Sequence, residues 1–198
     1  MKRFGRLAFI AALGMLAVPV AAQMAGVDGD SFVNAVRERD GAKAAELLGK
    51  HRGSIVNTRD GKGETGLIVA ITRRDENWTG FLLNEGADPN YAARNGDTPL
   101  IAAARVGYAD AAGWLIDMGG KVDATNRAGE TALIIAVQMR QPQLIRFLLS
   151  KGADPDKTDN AQGFSARDYA KRDNRGGELL RLIEAKKPAA KVAGAAIK

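Results

Sequence analysis

GETGLIVAI at residues 63–71, GDTPLIAAA at 96–104 and GETALIIAV at 129–137 are one pattern written three times at a spacing of 33 residues, and GFSARDYAK at 163–171 carries it a fourth time after 34. A second pattern keeps the same phase: FLLNEGADPN at 81–90, WLIDMGGKVD at 114–123 and FLLSKGADPD at 147–156. Two signals locked into one period define a chain of repeated supersecondary units, each burying its apolar face against its neighbours.

The residue types give the unit its shape. Thr65, Thr98, Thr131 and Ser165 are N-cap residues, whose side-chain oxygen accepts a hydrogen bond from a free backbone N–H at a helix start. Pro99 follows at the first helical position, where a missing N–H costs nothing. Leu67/Ala70, Leu100/Ala103 and Leu133/Ala136 are three apart and give a short helix one apolar face. The small Ala lets a second helix approach. That second helix is predicted through Trp78 to Leu83, Ala111 to Ile116 and Leu144 to Leu149, the last opened by Pro142. Gly86, Gly119 and Gly152 stop it, and Pro89 and Pro155 keep it from resuming. A polar stretch such as Tyr91 to Gly96 then returns to the next cap as a β-turn finger.

The unit resembles the ankyrin repeat, with its Thr-Pro-Leu-His-x-Ala opening and Gly-Ala-Asp-x-Asn closing loop. The openings here are Thr65-Gly66-Leu67-Ile68-Val69-Ala70, Thr98-Pro99-Leu100-Ile101-Ala102-Ala103 and Thr131-Ala132-Leu133-Ile134-Ile135-Ala136. Ile stands where the family has His, which suggests apolar packing in place of that residue's hydrogen bonds. The Asp that opens the family's finger is matched by Asp60 and Asp159, approximately by Asn126, and not by Ala93. The resemblance implies an all-α repeat solenoid of β-turn fingers and helix-turn-helix units. Residues 28–62 read as a degenerate N-terminal capping repeat, 63–95, 96–128 and 129–162 as full repeats, and 163–187 as a C-terminal cap in which Arg167 and Asp168 replace apolar residues.

The chain's two ends have a different character. Residues 1–22, MKRFGRLAFIAALGMLAVPVAA, have the basic, apolar and small-residue regions of a cleavable signal peptide. Its apolar run falls short of the roughly 20 residues of a membrane span. Arg73-Arg74 lie too far along to be a twin-arginine signal. A soluble periplasmic or secreted protein starting at Gln23 is expected, with no membrane span after cleavage. Residues 188–198 are Ala/Lys-rich and are expected to form a disordered tail.

Composition narrows the chemistry. The 198 residues include one His and no Cys, with 29 Lys+Arg against 23 Asp+Glu. Disulfides, zinc fingers and thiol nucleophiles are excluded. Seven of the basic residues lie in the terminal segments, which leaves 22 basic and 23 acidic residues in 23–185. A nearly neutral body argues against nucleic acid as a partner. His51 is read as a surface-loop residue, since no nucleophile partners it in the repeat frame. Gly61-Lys62-Gly63-Glu64-Thr65 departs from the order of a phosphate loop. Asp154, Asp156 and Asp159 lack the Gly and Glu of a calcium loop. The Asn77-Trp78-Thr79 sequon falls at a helix start, and Trp78 and Trp114 are assigned to packing. No catalytic, cofactor or metal site is expected, and the protein is not expected to be an enzyme.

A concave face of finger tips and exposed first-helix positions remains, and in the family such faces bind other proteins. By repeat phase the expected partner-binding residues are Lys62, Arg73, Arg94, Arg105, Val106, Arg127, Met139 and Phe164. Arg with a few apolar anchors fits an interaction face for a monomer meeting an acidic partner protein. The competing expectation is a solvated ladder in which Glu64, Asp97 and Glu130 pair with Arg94 and Arg127 between repeats. Two other functions are weighed: a dedicated inhibitor or stabiliser of one periplasmic enzyme, and a ligand-binding or enzymatic groove, which would need an acid/base cluster.

Overall fold

The computed structural model describes residues 20–51, 53–173 and 177–185, with side chains from residue 28 onward. Most of the predicted signal peptide and the whole of the predicted tail lie outside the described residues. The first inner helix, α1 (Val20–Glu38), spans the predicted cleavage point between Ala22 and Gln23 and starts ahead of residue 28, where the N-terminal capping repeat was expected to begin. Ala21, Ala22, Gln23, Met24 and Ala25 are all strong helix formers, so the upstream sequence extends the helix.

The remaining elements follow the period. After α2 (Gly41–Lys50), the stretch from Leu48 to Asn57 is two residues longer than that from Leu83 to Asn90, and a 3-10 turn at Ser54–Asn57 takes up the difference. The full repeats follow as α3 (Gly66–Thr72) with α4 (Glu76–Asn84), α5 (Pro99–Val106) with α6 (Ala109–Asp117), and α7 (Ala132–Gln138) with α8 (Pro142–Ser150). The C-terminal cap contributes α9 (Ala166–Lys171) and α10 (Glu178–Glu184). The all-α repeat solenoid is thus the observed fold. Isolated bridges such as Thr125 with Thr131 close the fingers, and no longer strand forms among the described residues.

Local chemistry sets each boundary as the sequence implies. Thr65, Thr98 and Thr131 accept hydrogen bonds from the N–H of Ile68, Ile101 and Ile134 at 3.1–3.3 Å. Ser165 goes further and forms a reciprocal capping box with Asp168, which explains the polar residue at this last Ile position. The inner helices α1, α3, α5, α7 and α9 pack in a row, each against the next, with the outer helices behind them. Leu67, Leu100, Leu133 and their partner Ala residues are buried in one continuous core. So are Ile68, Ile101 and Ile134, in agreement with apolar packing at the family's His position.

Hydrogen bonds on both edges lock neighbouring repeats. Asn57, Asn90 and Asp123 each accept the backbone N–H of a residue one repeat on, Asp88, Lys121 and Asp154, at 2.8–2.9 Å. At the fingers, a Cβ on Gly63 would stand 2.3 Å from the Cβ of Arg94, and one on Gly96 would stand 2.7 Å from the Arg127 nitrogen. These glycines therefore allow successive fingers to touch. A third tie was not anticipated. The turn between the two helices of a repeat is left-handed at Arg39, Arg74 and Arg140, where Gly107 is the usual solution. Each Arg meets a residue between the two helices of the next unit: Arg39 pairs with Asp75 at 2.9 Å, Arg74 lies over the Tyr108 ring and Arg140 pairs with Asp173.

Candidate functional site: the concave finger and inner-helix face

Finger bases and inner helices meet over two arginine clamps. Arg37, in the last turn of α1, donates to Asp60 at 2.7 Å and to Glu64 at 2.9 Å in the first finger. Arg105, in the last turn of α5, donates to Asp97 at 2.8 and 3.2 Å in its own finger and to Glu130 at 3.1 Å in the next. Asn126 bridges the same two carboxylates at 2.8 Å each. The finger that lacks an opening Asp, because Ala93 stands there, thus obtains its carboxylate from Asp97. Burial alone would raise the Asp97 carboxyl, but hydrogen bonds from Arg105 and Asn126 outweigh it and hold it below the usual carboxylate range. Asp60 is held low in the same balance by Arg37.

The expected ladder therefore exists with other rungs. Glu64, Asp97 and Glu130 pair with Arg37 and Arg105, and not with Arg94 or Arg127. The reason is direction: the side chains of Arg37 and Arg105 reach the finger-base carboxylates from the inner helices, whereas the fingertip side chain of Arg94 runs to the backbone of the preceding finger. Arg94 donates to the Gly61 carbonyl at 3.0 Å, and its own N–H to the Gly63 carbonyl at 2.8 Å. The Arg127 N–H meets the Asn95 carbonyl at 3.5 Å. Arg37 and Asn126 escaped the sequence reading as members of the site. For Arg37 the signal was its repeat phase with Arg105, masked by two extra residues in the first unit.

Lys62, Arg94, Arg105 and Val106 come together around one cleft of about 320 Å³, with Ile68 and Ala102 also lining it. The other four expected residues lie outside it. Arg73 ends α3 and donates to the Arg37 carbonyl. Arg127 is exposed at its fingertip, and Met139, which ends α7, is 49% exposed. Phe164 is half-buried, edge-on to Tyr169 at 5.6 Å and beneath Arg172 at 4.5 Å, so it packs within the C-terminal cap.

The residues weighed for chemistry are engaged in structure. His51 ends α2 with its ring nitrogen 2.9 Å from Asp28, so it is a half-buried helix-end residue instead of the expected surface-loop His. Asp156 pairs with Arg167 at 2.6 Å, and Asp159 accepts three backbone N–H groups and the Tyr169 hydroxyl. Among the described residues, no three His, Cys, Asp or Glu side chains are grouped to hold a metal ion. Trp78 is buried edge-on to Phe81, and Thr79 of the sequon is buried and bonded to the Asp75 carbonyl. No described helix is long and apolar enough to cross a membrane.

A stack of helix pairs joined by projecting fingers defines the class, an all-α repeat solenoid. The family model for ankyrin repeats (3 copies) matches residues 32–126 and 67–159, and the chain belongs to the ankyrin-repeat family. Ankyrin repeats generally mediate protein–protein interaction and are typically non-catalytic. A comparison with curated proteins gives no match.

Proposed function

We propose that the protein is an exported, periplasmic interaction module that recognises an acidic surface of a partner protein through its finger and inner-helix face. One observation carries the reading. The carboxylates of Asp60, Glu64, Asp97 and Glu130 are all engaged by Arg37 or Arg105, while Lys62, Arg73, Arg94 and Arg127 have no carboxylate partner among the described residues. The clamps draw the face's negative charge down to the finger bases and leave cations at the tips. Arg offers planar, multi-donor contacts to carboxylates, and unpaired cations steer an acidic partner at low ionic strength.

Affinity capture from a periplasmic extract, read by mass spectrometry, tests the proposal. Joint reversal Arg94→Glu and Arg127→Glu weakens capture, with the association rate falling more at low salt than at high salt. Capture that is unchanged at every salt concentration sinks the reading. Export is tested by amino-terminal sequencing, which should find Gln23 in the soluble exported fraction; Met1 retained in a membrane pellet would refute it.

A further inference from the structure

The five inner helices carry Arg37, Thr72, Arg105, Gln138 and Arg172 at one equivalent position. Arg37 and Arg105 each reach the finger that follows, at Glu64 and Glu130 respectively, and close the space beneath it. Thr72 is too short to do so, and its hydroxyl turns back to the Ile68 carbonyl at 2.8 Å. The cleft of about 320 Å³ opens at this missing rung. A second, of about 360 Å³, lies beside Gln138, the other position without Arg. The two clefts differ in how their charges are paired. In the second, Asp173 pairs with Arg140 while its Oδ2 is buried without a hydrogen-bond partner, and Arg172 lies over the Phe164 ring. The first has an apolar floor of Ile68, Ala102 and Val106; its carboxylates Glu64 and Asp97 are held by Arg37 and Arg105, while Lys62 and Arg94 on its rim have no carboxylate partner among the described residues.

We propose that the gap at Thr72 seats one apolar side chain of an extended acidic segment of the partner, whose flanking carboxylates meet Lys62 and Arg94. The inference rests on the reading of this face as the binding site for an acidic partner, and it names what that partner presents. The cleft is at the small end of ligand pockets, fit for one side chain. A carboxylate on its floor would gain no hydrogen-bond partner from Ile68, Ala102 or Val106. A cation would face the unpaired Lys62 and Arg94, and the carboxylates Glu64 and Asp97 are already held by Arg37 and Arg105. An aliphatic group between carboxylates satisfies floor and rim together.

The test measures binding of the full chain to the labelled peptide Glu-Asp-Leu-Asp-Glu by fluorescence anisotropy, beside a version with Ser for Leu and one with amides for the carboxylates. The Leu peptide binds at least about tenfold more tightly than the Ser peptide, in line with the burial of one aliphatic side chain, and the amide peptide loses the salt-sensitive part of binding. Thr72→Arg supplies the missing rung and abolishes the advantage of Leu, while its melting temperature stays at or above that of the wild type. Val106→Glu, at a position where neighbouring repeats carry Arg73 and Met139, gives the same loss by charge instead of filling. Equal binding of the Leu and Ser peptides, no binding of either, or an advantage of Leu that survives in both variants overturns the cleft inference. If the acidic peptides still bind in an Arg94- and Arg127-dependent way, the broader reading stands. An amide peptide that binds as tightly as the acidic one defeats that reading as well.

Discussion

Asp97 and Asp159 occupy the bases of two fingers, are 7% and 4% exposed, and solve one problem in different ways. Each is a carboxylate withdrawn from water that must find donors. Asp97 finds them in Asn95 of its own finger, in Arg105 of the helix that follows, which also holds Glu130, and in Asn126 of the next finger. Asp159 finds them at home, in three N–H groups of its own finger and the hydroxyl of Tyr169 on the helix that follows. An interior finger has neighbours on both sides, and the last one has a neighbour on one side only. The interior network therefore couples repeats, while the terminal one stiffens its own unit.

The largest expected difference is in the core. Leu100 is packed between α3 and α7 neighbours, whereas Leu179 closes the last unit, and both are buried. Removing a buried Leu costs about 2–5 kcal/mol. Leu100→Ala should fall at the upper end in urea denaturation, and Leu179→Ala at the lower end, because the terminal unit relaxes without disturbing the rest. Equal losses would mean that the cap is as deeply coupled as the centre.

Next come the networks themselves. Arg105→Ala removes the cation from Asp97 and Glu130, leaves them the Asn126 amide, and should cost about 1–3 kcal/mol, limited by partial solvation of the guanidinium. It should also broaden the unfolding transition. Tyr169→Phe leaves three N–H donors on Asp159 and should cost about 1 kcal/mol without broadening. The acid limb of stability separates the two further. A carboxyl lowered in the folded state contributes stability that is complete above the ordinary carboxylate value of about 4 and is lost as pH falls through the lowered value. Both Asp97 and Asp159 are lowered against the effect of burial. Arg105→Ala should therefore flatten the melting-temperature profile below roughly pH 4 more than Tyr169→Phe does. A steeper loss in Tyr169→Phe would reverse the assignment of cross-repeat coupling.

The smallest contrast is at the caps. Thr98→Ala removes one capping bond and should cost about 1 kcal/mol. Ser165→Ala breaks a reciprocal box with Asp168 and should cost somewhat more locally. Amide hydrogen exchange of α9 and α5 reads the difference, and equal protection losses would remove it.

Nearly all of the backbone plan was legible in the sequence. The caps at Thr65, Thr98, Thr131 and Ser165, the stops at Gly86, Gly119 and Gly152, and the apolar Leu/Ala faces act over spans of a few residues, so their spacing alone specifies them. The periodicity also marked the concave face and the fact that Arg and carboxylates share it. Which Arg holds which carboxylate was decided by the tertiary structure. Arg94 and Arg37 lie at different depths, and only the stacking of α1 under the first finger brings Arg37 to Asp60 and Glu64. The left-handed Arg39, Arg74 and Arg140 and the gap at Thr72 are likewise properties of neighbouring repeats in contact. Local capping and helix-face burial are written within one repeat. Ion-pair choice and cleft volume depend on distances between repeats, and those exist only once the stack has formed.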